Sequence, residues 1–593
     1  MCGIAGIING SPKSEEILQS MLNSIKHRGP DDWGMHVDKE RGAFLGSRRL
    51  SILDLSPKGH MPMYSADRSL VICQNGEIYN YPQLKVELEK LGYHFESSSD
   101  TEAILHGYEE WGTGVFEKLQ GMFAISIYDS RNHKFILVRD RIGIKPVYYL
   151  SKDRTLYYSS EVKAFDNIPD FSLRGNLDME AVNKMLGFMF YPDSAHTMIR
   201  GVLKLEPGYF LEVNSETGEY TKNRYWSLIE NEQVKRLSFE DAVSQLENLL
   251  KETVKSHLMS DVPLGVLLSG GLDSSLITAL MKEQTNGEVL TFNAKFNHKF
   301  NESEYAKQVS EHLGTKHQEI LIDAGVINNN IEAYIKDFDD LTSFDGGLIS
   351  TKILCTELKR QGVTVVLLGE GSDEIFGGYS WFGLSQLPYS VMPNRVVSAL
   401  YYYALSRNIT FNPKFYYDIW HQKYIENYNE DMFRNISSVE LNVQLSNHLL
   451  MKVDKGTMAA SVEARVPYLD HKVVEFVYSL PSQFKLKGSV QSMRNINEKY
   501  ILREVAKKYL PEEIVARKKR GFLMPMDDVL KANLDKVRDY AFSANSVSQK
   551  LMTVSALEDL FEPTDFKVLQ QQKEYLLWRI FLIESWNRAY GSK

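Results

Sequence analysis

Apolar positions in the first part of the chain fall in short runs broken by turn residues. Runs at 3–8, 70–74, 123–128, 134–139, 146–150, 156–160 and 209–213 have the length and residue content of strands. Asn9-Gly10, Pro30-Asp31-Asp32 and Ser130-Arg131-Asn132 separate them. Apolar residues spaced by three and four predict helices over 15–25, 81–91 and 101–111, with Asp100 as the N-cap of the last. Antiparallel-style strands mixed with a few helices predict an α+β layered unit.

Further along, the pattern changes. Residues 214–237 are polar and turn-rich, including Glu230-Asn231-Glu232, and read as a linker. Over 238–257 the apolar positions Ala242, Leu246, Leu249, Leu250 and Val254 recur near a 3.6 period, predicting a helix. Apolar runs at 262–268, 289–296 and 363–368 then alternate with helical stretches at 274–283 and 302–313, the rhythm of a parallel sheet. From about residue 388 onward the chain is mainly helical and rich in tyrosine.

Composition narrows the class. A length of 593 residues predicts two or more domains, and 43% hydrophobic with 24% charged residues excludes a wholly disordered chain. With 68 Lys and Arg against 77 Asp and Glu, the formal charge of −9 argues against a nucleic-acid partner. Three cysteines, Cys2, Cys73 and Cys355, are too few for a disulfide scaffold, so a reducing cytoplasmic location is expected. The apolar stretch 262–268 is about a third of the ~20 residues a spanning helix needs, and no membrane partner is expected. The N-terminal segment lacks a basic region and a cleavage site, so it reads as a buried first strand rather than a signal peptide.

One cysteine stands at position two. Removal of Met1 would leave the Cys2 thiol beside a free α-amine able to accept a proton near neutrality. Asn75 and Gly76 offer an amide and a backbone N–H that can point at one oxygen. Arg49 can clamp a carboxylate, and Asp100 can hold an ammonium group. Taken singly, these residues have plainer readings: an inert buried thiol, a hairpin turn and two solvated surface charges. In the second half, Ser-Gly-Gly-Leu-Asp-Ser-Ser at 269–275 follows an apolar run and precedes a helix, the makings of an anion site. It is not a Walker A loop, so a bound pyrophosphate is expected, and Asp273 within it calls for Mg²⁺. Gly-Glu-Gly-Ser-Asp-Glu at 369–374 follows another apolar run, with Asp373 expected to face Asp273. Lys455 is expected to neutralise pyrophosphate.

Together these motifs resemble a known family. Met-Cys-Gly-Ile-Ala-Gly at 1–6, His-Arg-Gly-Pro-Asp at 27–31, Arg-Leu-Ser-Ile-Leu-Asp at 49–54, Asn-Gly-Glu-Ile-Tyr-Asn at 75–80 and Ser-Asp-Thr-Glu at 99–102 resemble the class II glutamine amidotransferase domain. The blocks at 269–275, 369–374 and 451–470 resemble the ATP-pyrophosphatase domain of glutamine-hydrolysing asparagine synthetases. The resemblance implies an α+β N-terminal-nucleophile hydrolase sandwich over 2–213, a linker over 214–237, and an α/β parallel-sheet ATP-pyrophosphatase domain with a helical C-terminal region over 238–593. It implies that Cys2 is the nucleophile, that Asn75 and Gly76 form the oxyanion hole, and that Arg49, Asn75, Glu77 and Asp100 bind glutamine. Leu267, Ser269, Gly270, Gly271, Asp273, Ser274, Ser275, Gly369, Glu370 and Lys455 would bind ATP or pyrophosphate. Glu370 would help deprotonate ammonia, while Asp273 and Asp373 would serve Mg²⁺. The implied small-molecule substrates are glutamine, ATP and a carboxylate acceptor, with ammonia passing through an internal tunnel and a homodimer as the assembly considered.

Two features stand apart. The stretch 339–351 lacks the arginine found in the aspartate-seating run of bacterial asparagine synthetases, which leaves a uronic-acid sugar as an alternative acceptor to aspartate. A non-catalytic glutamine sensor is the third reading. The basic run 517–520 is read as a solvated turn or a lid over the phosphates rather than a nucleic-acid patch.

Overall fold

The computed structural model describes residues 2–188, 190–296, 301–337, 339–340, 347–386, 392–405, 413–488, 496–518 and 526–590. The strands of its first part are β1 (Cys2–Ile8), β2 (Asp32–Asp38), β3 (Ala43–Arg49), β4 (Met63–Tyr64), β5 (Leu70–Ile78) and β6 (Gly121–Asp129). They continue with β7 (Lys134–Arg139), β8 (Tyr148–Lys152), β9 (Thr155–Ser159), β10 (Val202–Lys204), β11 (Tyr209–Asn214) and β12 (Tyr220–Arg224). These form two antiparallel sheets in the orders β10-β8-β9-β1-β3-β2 and β12-β11-β7-β6-β5-β4. The period-two alternation of β1 explains the layering. Ile4 and Ile8 point into the core between the sheets with Leu45, Val71, Ala124 and Leu211. Ala5 and Ile7 point outward, under Leu18, Met21 and Leu22 of the helix Ser14–Ser24. The helix Asp100–Trp111 covers the other sheet through Ala103, Ile104 and Tyr108. The result is a helix–sheet–sheet–helix sandwich.

The pattern of apolar runs did not reveal β2, β3, β4, β10 or β12. β3 reads Ala-Phe-Leu-Gly-Ser-Arg-Arg, yet every residue of it is buried. Its arginines are tolerated because they donate to backbone carbonyls: Arg48 Nε to Leu22 at 3.0 Å, and Arg49 Nη2 to Leu53 at 3.0 Å and Asp54 at 2.6 Å. The segment 214–237 carries β12 and the short helix Glu232–Lys235. Asn75 and Gly76 make no turn; they pair with Ala124 and Phe123 inside β5. The N-cap of Asp100–Trp111 is Ser99, whose hydroxyl accepts from the Thr101 N–H, because the Asp100 carboxylate is committed elsewhere.

The second part is built on a parallel sheet of β13 (Leu264–Leu267), β14 (Leu290–Lys295), β15 (Lys316–Leu321), β16 (Val365–Leu367) and β17 (Glu463–Arg465), ordered β15-β14-β13-β16-β17. β13 and β16 are neighbours, so the loops after both emerge side by side at their carboxyl ends, where open α/β sheets place ligands. Helices complete this part, ending in Lys567–Ala589, which buries Trp578, Phe581 and Trp586. No described helix is long and apolar enough to cross a membrane. The two parts are packed tightly together. Leu50 and Ile52 share a core cluster with Val365 and Met458, Gln120 Nε2 donates to Asp470 at 2.7 Å, and Ser461 Oγ donates to the His27 carbonyl at 2.6 Å.

Gly6 exposes how little slack β1 has. A Cβ there would lie 2.3 Å from the Tyr158 ring on the paired strand β9. Gly6→Ala is expected to destabilise the sandwich by about 1–3 kcal/mol through overpacking. A lowered urea midpoint checks this.

Candidate functional site

Two cavities gather the chemistry-bearing residues. The first lies at the end of β1, where Cys2, Met61, Gln74, Gly76, Glu77, Asp100 and Thr101 line a small pocket. The Cys2 N–H donates to Asn75 Oδ1 at 3.1 Å, which turns the Asn75 amide nitrogen away from that bond. This Nδ2 is buried without a hydrogen-bond partner, an idle donor beside the thiol. Gly76 is required by close packing, since a Cβ would sit 2.0 Å from the Met122 carbonyl oxygen. Burial pushes the Cys2 thiol above its usual pKa, although the nearby Arg49 charge works in the other direction.

The carboxylates beside it are held in different ways. Asp100 Oδ2 accepts from Gln74 Nε2 and from the Ile78 N–H, both at 2.8 Å, and burial raises its pKa. Glu77 is also raised, first by burial and then by the Glu463 charge, while Arg465 of β17 approaches it at 3.6 Å. Arg49 stands behind the wall rather than in it, with its guanidinium bonded to the Leu53 and Asp54 carbonyls. Gly59 makes room for that group.

A second cavity, of about 170 Å³, opens at the carboxyl ends of β13 and β16. Leu267, Phe292 and Ala294 form an apolar side, and Ser269, Asp273, Ser274, Gly369, Glu370 and Asp373 a polar one. The loop 269–271 leads into the helix Leu272–Gln284, whose free N–H groups favour an anion. Ser269 Oγ and Ser274 Oγ lie 3.0 Å apart at its mouth. Gly369 lets the two loops touch: a Cβ would be 2.9 Å from Asp273 Cβ. Ser275 is brought to the loop but not to the cavity; it is fully buried and its hydroxyl has no partner.

Asp273 and Asp373 do face each other, and a lysine lies between them. Lys499 Nζ is 2.8 Å from both oxygens of Asp273 and 2.6 Å from Asp373 Oδ1. Ser372 Oγ donates to Asp273 Oδ1 at 2.7 Å. Lys455, expected at this place, is elsewhere. Its ammonium is buried on Asp339 and Asp340, beside the Tyr148 hydroxyl that donates to Asp340 at 2.5 Å. The physical reason is partner choice: two buried carboxylates need a cation, and Lys455 supplies it on the face turned to the first part of the molecule. Sequence reasoning missed Lys499 because it is a single lysine before a short helix, with no local pattern to mark it. Of the basic run, Arg517 and Lys518 are described and stand beside the phosphate loop, and residues 519–520 lie outside the described residues.

The chain is similar to known proteins along its length. A family model described as asparagine synthase matches residues 245–588, and one described as a glutamine amidotransferase domain matches residues 1–226. An asparagine synthetase [glutamine-hydrolyzing] 1 of Bacillus subtilis (strain 168) is 32% identical over 581 residues, covering 90% of this chain and 89% of the relative. A second from the same organism, asparagine synthetase [glutamine-hydrolyzing] 3, is 28% identical and covers 100% of this chain and 99% of its own. Among solved structures, a glutamine phosphoribosylpyrophosphate amidotransferase from B. subtilis has a TM-score of 0.30 at 16% identity, covering 62% of this chain and 81% of that one.

The helix that presents Asp100 carries its own pH sensitivity. Burial alone would lower the His106 pKa, but Glu102 and Glu109 on either side raise it to about 9. A raised histidine stabilises the fold fully below its unfolded value of 6.5 and loses that contribution as pH rises through about 9. His106→Gln is therefore expected to flatten a loss of about 1–2 kcal/mol between pH 6.5 and 9, the range allowing for partial exposure. Urea midpoints measured across that range check it.

Proposed function

Because this chain belongs to the asparagine synthase family, ligases that use ATP and take the amide nitrogen from glutamine, we propose that it makes asparagine from aspartate. The observation that carries the reading is the Asp273–Lys499–Asp373 cluster at the mouth of an anion-binding loop, on the same chain as a nucleophile beside an idle amide donor. We assign glutamine hydrolysis to residues 2–213, with 214–237 connecting it to a synthetase unit over 238–593.

At the first cavity, Cys2 Sγ attacks the side-chain carbonyl carbon of glutamine. Asn75 Nδ2 and the Gly76 N–H receive the developing oxyanion. Ammonia leaves as the C–N bond breaks, taking the proton that the Cys2 thiol passes to its own α-amine once Met1 is removed, and water cleaves the resulting thioester to glutamate. Glu77 and Asp100 are placed to hold the substrate ammonium, and the Arg49 charge favours its carboxylate. At the second cavity, an acceptor carboxylate oxygen attacks the α-phosphorus of ATP, and pyrophosphate leaves with the bridging bond's electrons. Ammonia then attacks the activated carbonyl carbon, AMP departs with the C–O electrons, and Glu370 accepts the proton lost by nitrogen. Lys499 and the loop N–H groups stabilise the leaving pyrophosphate, the role expected of Lys455. Ser269, Gly270, Gly271 and Ser274 form that anion site, with Leu267 against the adenine.

Asp273 and Asp373 would hold Mg²⁺ together with phosphate oxygens rather than alone. Lys499 already holds one positive charge between Asp273 and Asp373, and no set of three or more metal-type side chains occurs among the described residues. Two carboxylates plus phosphate oxygens are the usual setting for this ion. When bound, it would neutralise phosphate charge.

Tyr79 and Met122 of the sandwich share an apolar core cluster with Leu268, Leu368 and Val453 beside the second cavity, and this is the region that ammonia would cross between the two sites. Lys452 lines that cavity and places a cationic side chain in its wall.

Cys2→Ala is expected to abolish glutamine-dependent synthesis and spare ammonia-dependent synthesis. Lys499→Met is expected to lower acceptor-dependent ATP–pyrophosphate exchange by about 100-fold or more while sparing glutaminase activity. AMP formation with aspartate, but not with uronic acids, checks the acceptor; the reverse preference would replace aspartate.

A further inference from the structure

The phosphate loop also borders a space beside the nucleotide cavity, with which that space shares Ser269, Asp273 and Glu302. There a smaller cavity of about 50 Å³ is bounded by Ser269, Gly271, Lys499, Arg503 and Arg517. Resting on the reading of 269–275 as the pyrophosphate loop, we propose that Arg517 is a positioning residue that holds the Gly270–Gly271 peptide in its anion-receiving orientation.

Three contacts fix the Arg517 guanidinium. Its Nη1 donates to the Gly270 carbonyl at 2.8 Å, its Nη2 pairs with Glu302, and its plane lies 3.9 Å over the Tyr305 ring. Both Glu302 and Tyr305 stand at the start of the helix Ser303–Leu313, so that helix and the loop are gripped together. The loop's own hydrogen bonds, Ser269 N–H to Ser274 Oγ at 3.1 Å and Gly271 N–H to Ser269 Oγ at 3.3 Å, leave the Gly270 carbonyl to an external partner. Gly270 adopts φ +73°, and a Cβ there would sit 2.4 Å from the Ala306 nitrogen and 2.6 Å from the Tyr305 carbonyl carbon. Two consecutive glycines leave the peptide between them free to rotate.

Orientation of that peptide decides the sign of the site. In a planar trans peptide, carbonyl and N–H point in opposite directions. With the Gly270 oxygen held by Arg517, the Gly271 N–H faces Ser269 Oγ at 3.3 Å, on the side where Ser274 Oγ converges. A flipped peptide would present a carbonyl oxygen to pyrophosphate in place of a donor. Arg517 thus acts through the loop, and its loss is felt where charge builds on the leaving group.

Arg517→Ala is expected to lower kcat for acceptor-dependent ATP–pyrophosphate exchange by about 10–100-fold, with the KM for ATP changed by less than about threefold. Added guanidinium should restore part of the rate. Arg517→Lys should stay impaired, because one ammonium cannot replace the planar fork and its stacking. Glutaminase activity of each variant reports whether the chain is folded. If Arg517→Ala does not fold, Arg517→Lys decides: normal exchange in it overturns the proposal. A change confined to KM, or no response to guanidinium in a folded Arg517→Ala, also overturns it. Absence of exchange in the unmodified protein would instead remove the pyrophosphate reading of the loop.

Discussion

The buried guanidinium of Arg28 ties the two halves of this molecule together. Arg28 is fully buried; its Nε donates to the Cys2 carbonyl at 3.2 Å, and its Nη1 lies 2.9 Å from Glu161 and 2.8 Å from Asp454. A charge without access to water requires such partners, and removing any of them leaves an uncompensated ion. Two of its contacts, Cys2 and Glu161, belong to the sandwich, and the third belongs to the helix Leu450–Met458 of the second part. The strand that carries the nucleophile is therefore positioned partly by the domain that lies beyond it. The same helix contributes Lys452 and Val453 to the nucleotide cavity and Lys455 to the Asp339–Asp340 pair, so one rigid element touches both cavities' surroundings.

The two sites solve opposite electrostatic problems. The first keeps two carboxylates and a thiol together, and burial pushes Cys2, Glu77 and Asp100 toward their neutral forms. The second gathers a helix N-terminus, two hydroxyls and a lysine shared by two aspartates, groups whose donors favour an anion.

Much of the fold was legible wherever packing imposes a strong period. The helix Phe239–His257, the β13–helix–β14 alternation and the seven apolar strands of the sandwich all write themselves as hydrophobic rhythm. β3 and β17 do not. Their arginines are buried by bonds to carbonyls and to a glutamate, contacts that no local pattern announces. Asn75-Gly76 resembles a hairpin turn by composition and is a strand interior because β6 packs so closely that only glycine fits.

The sequence by itself determined which residue types are available and how they are spaced along the chain: a thiol at position two, glycine and serine before a helix, acids after a strand. These are local properties, and motif spacing reports them directly. Tertiary structure alone decided which charges meet. Lys499 reaches Asp273 across 226 positions, whereas Lys455 is drawn to Asp339 and Asp340 across 116 and 115. Both are lysines in polar surroundings, and only the packing of distant elements settles which carboxylates each must neutralise.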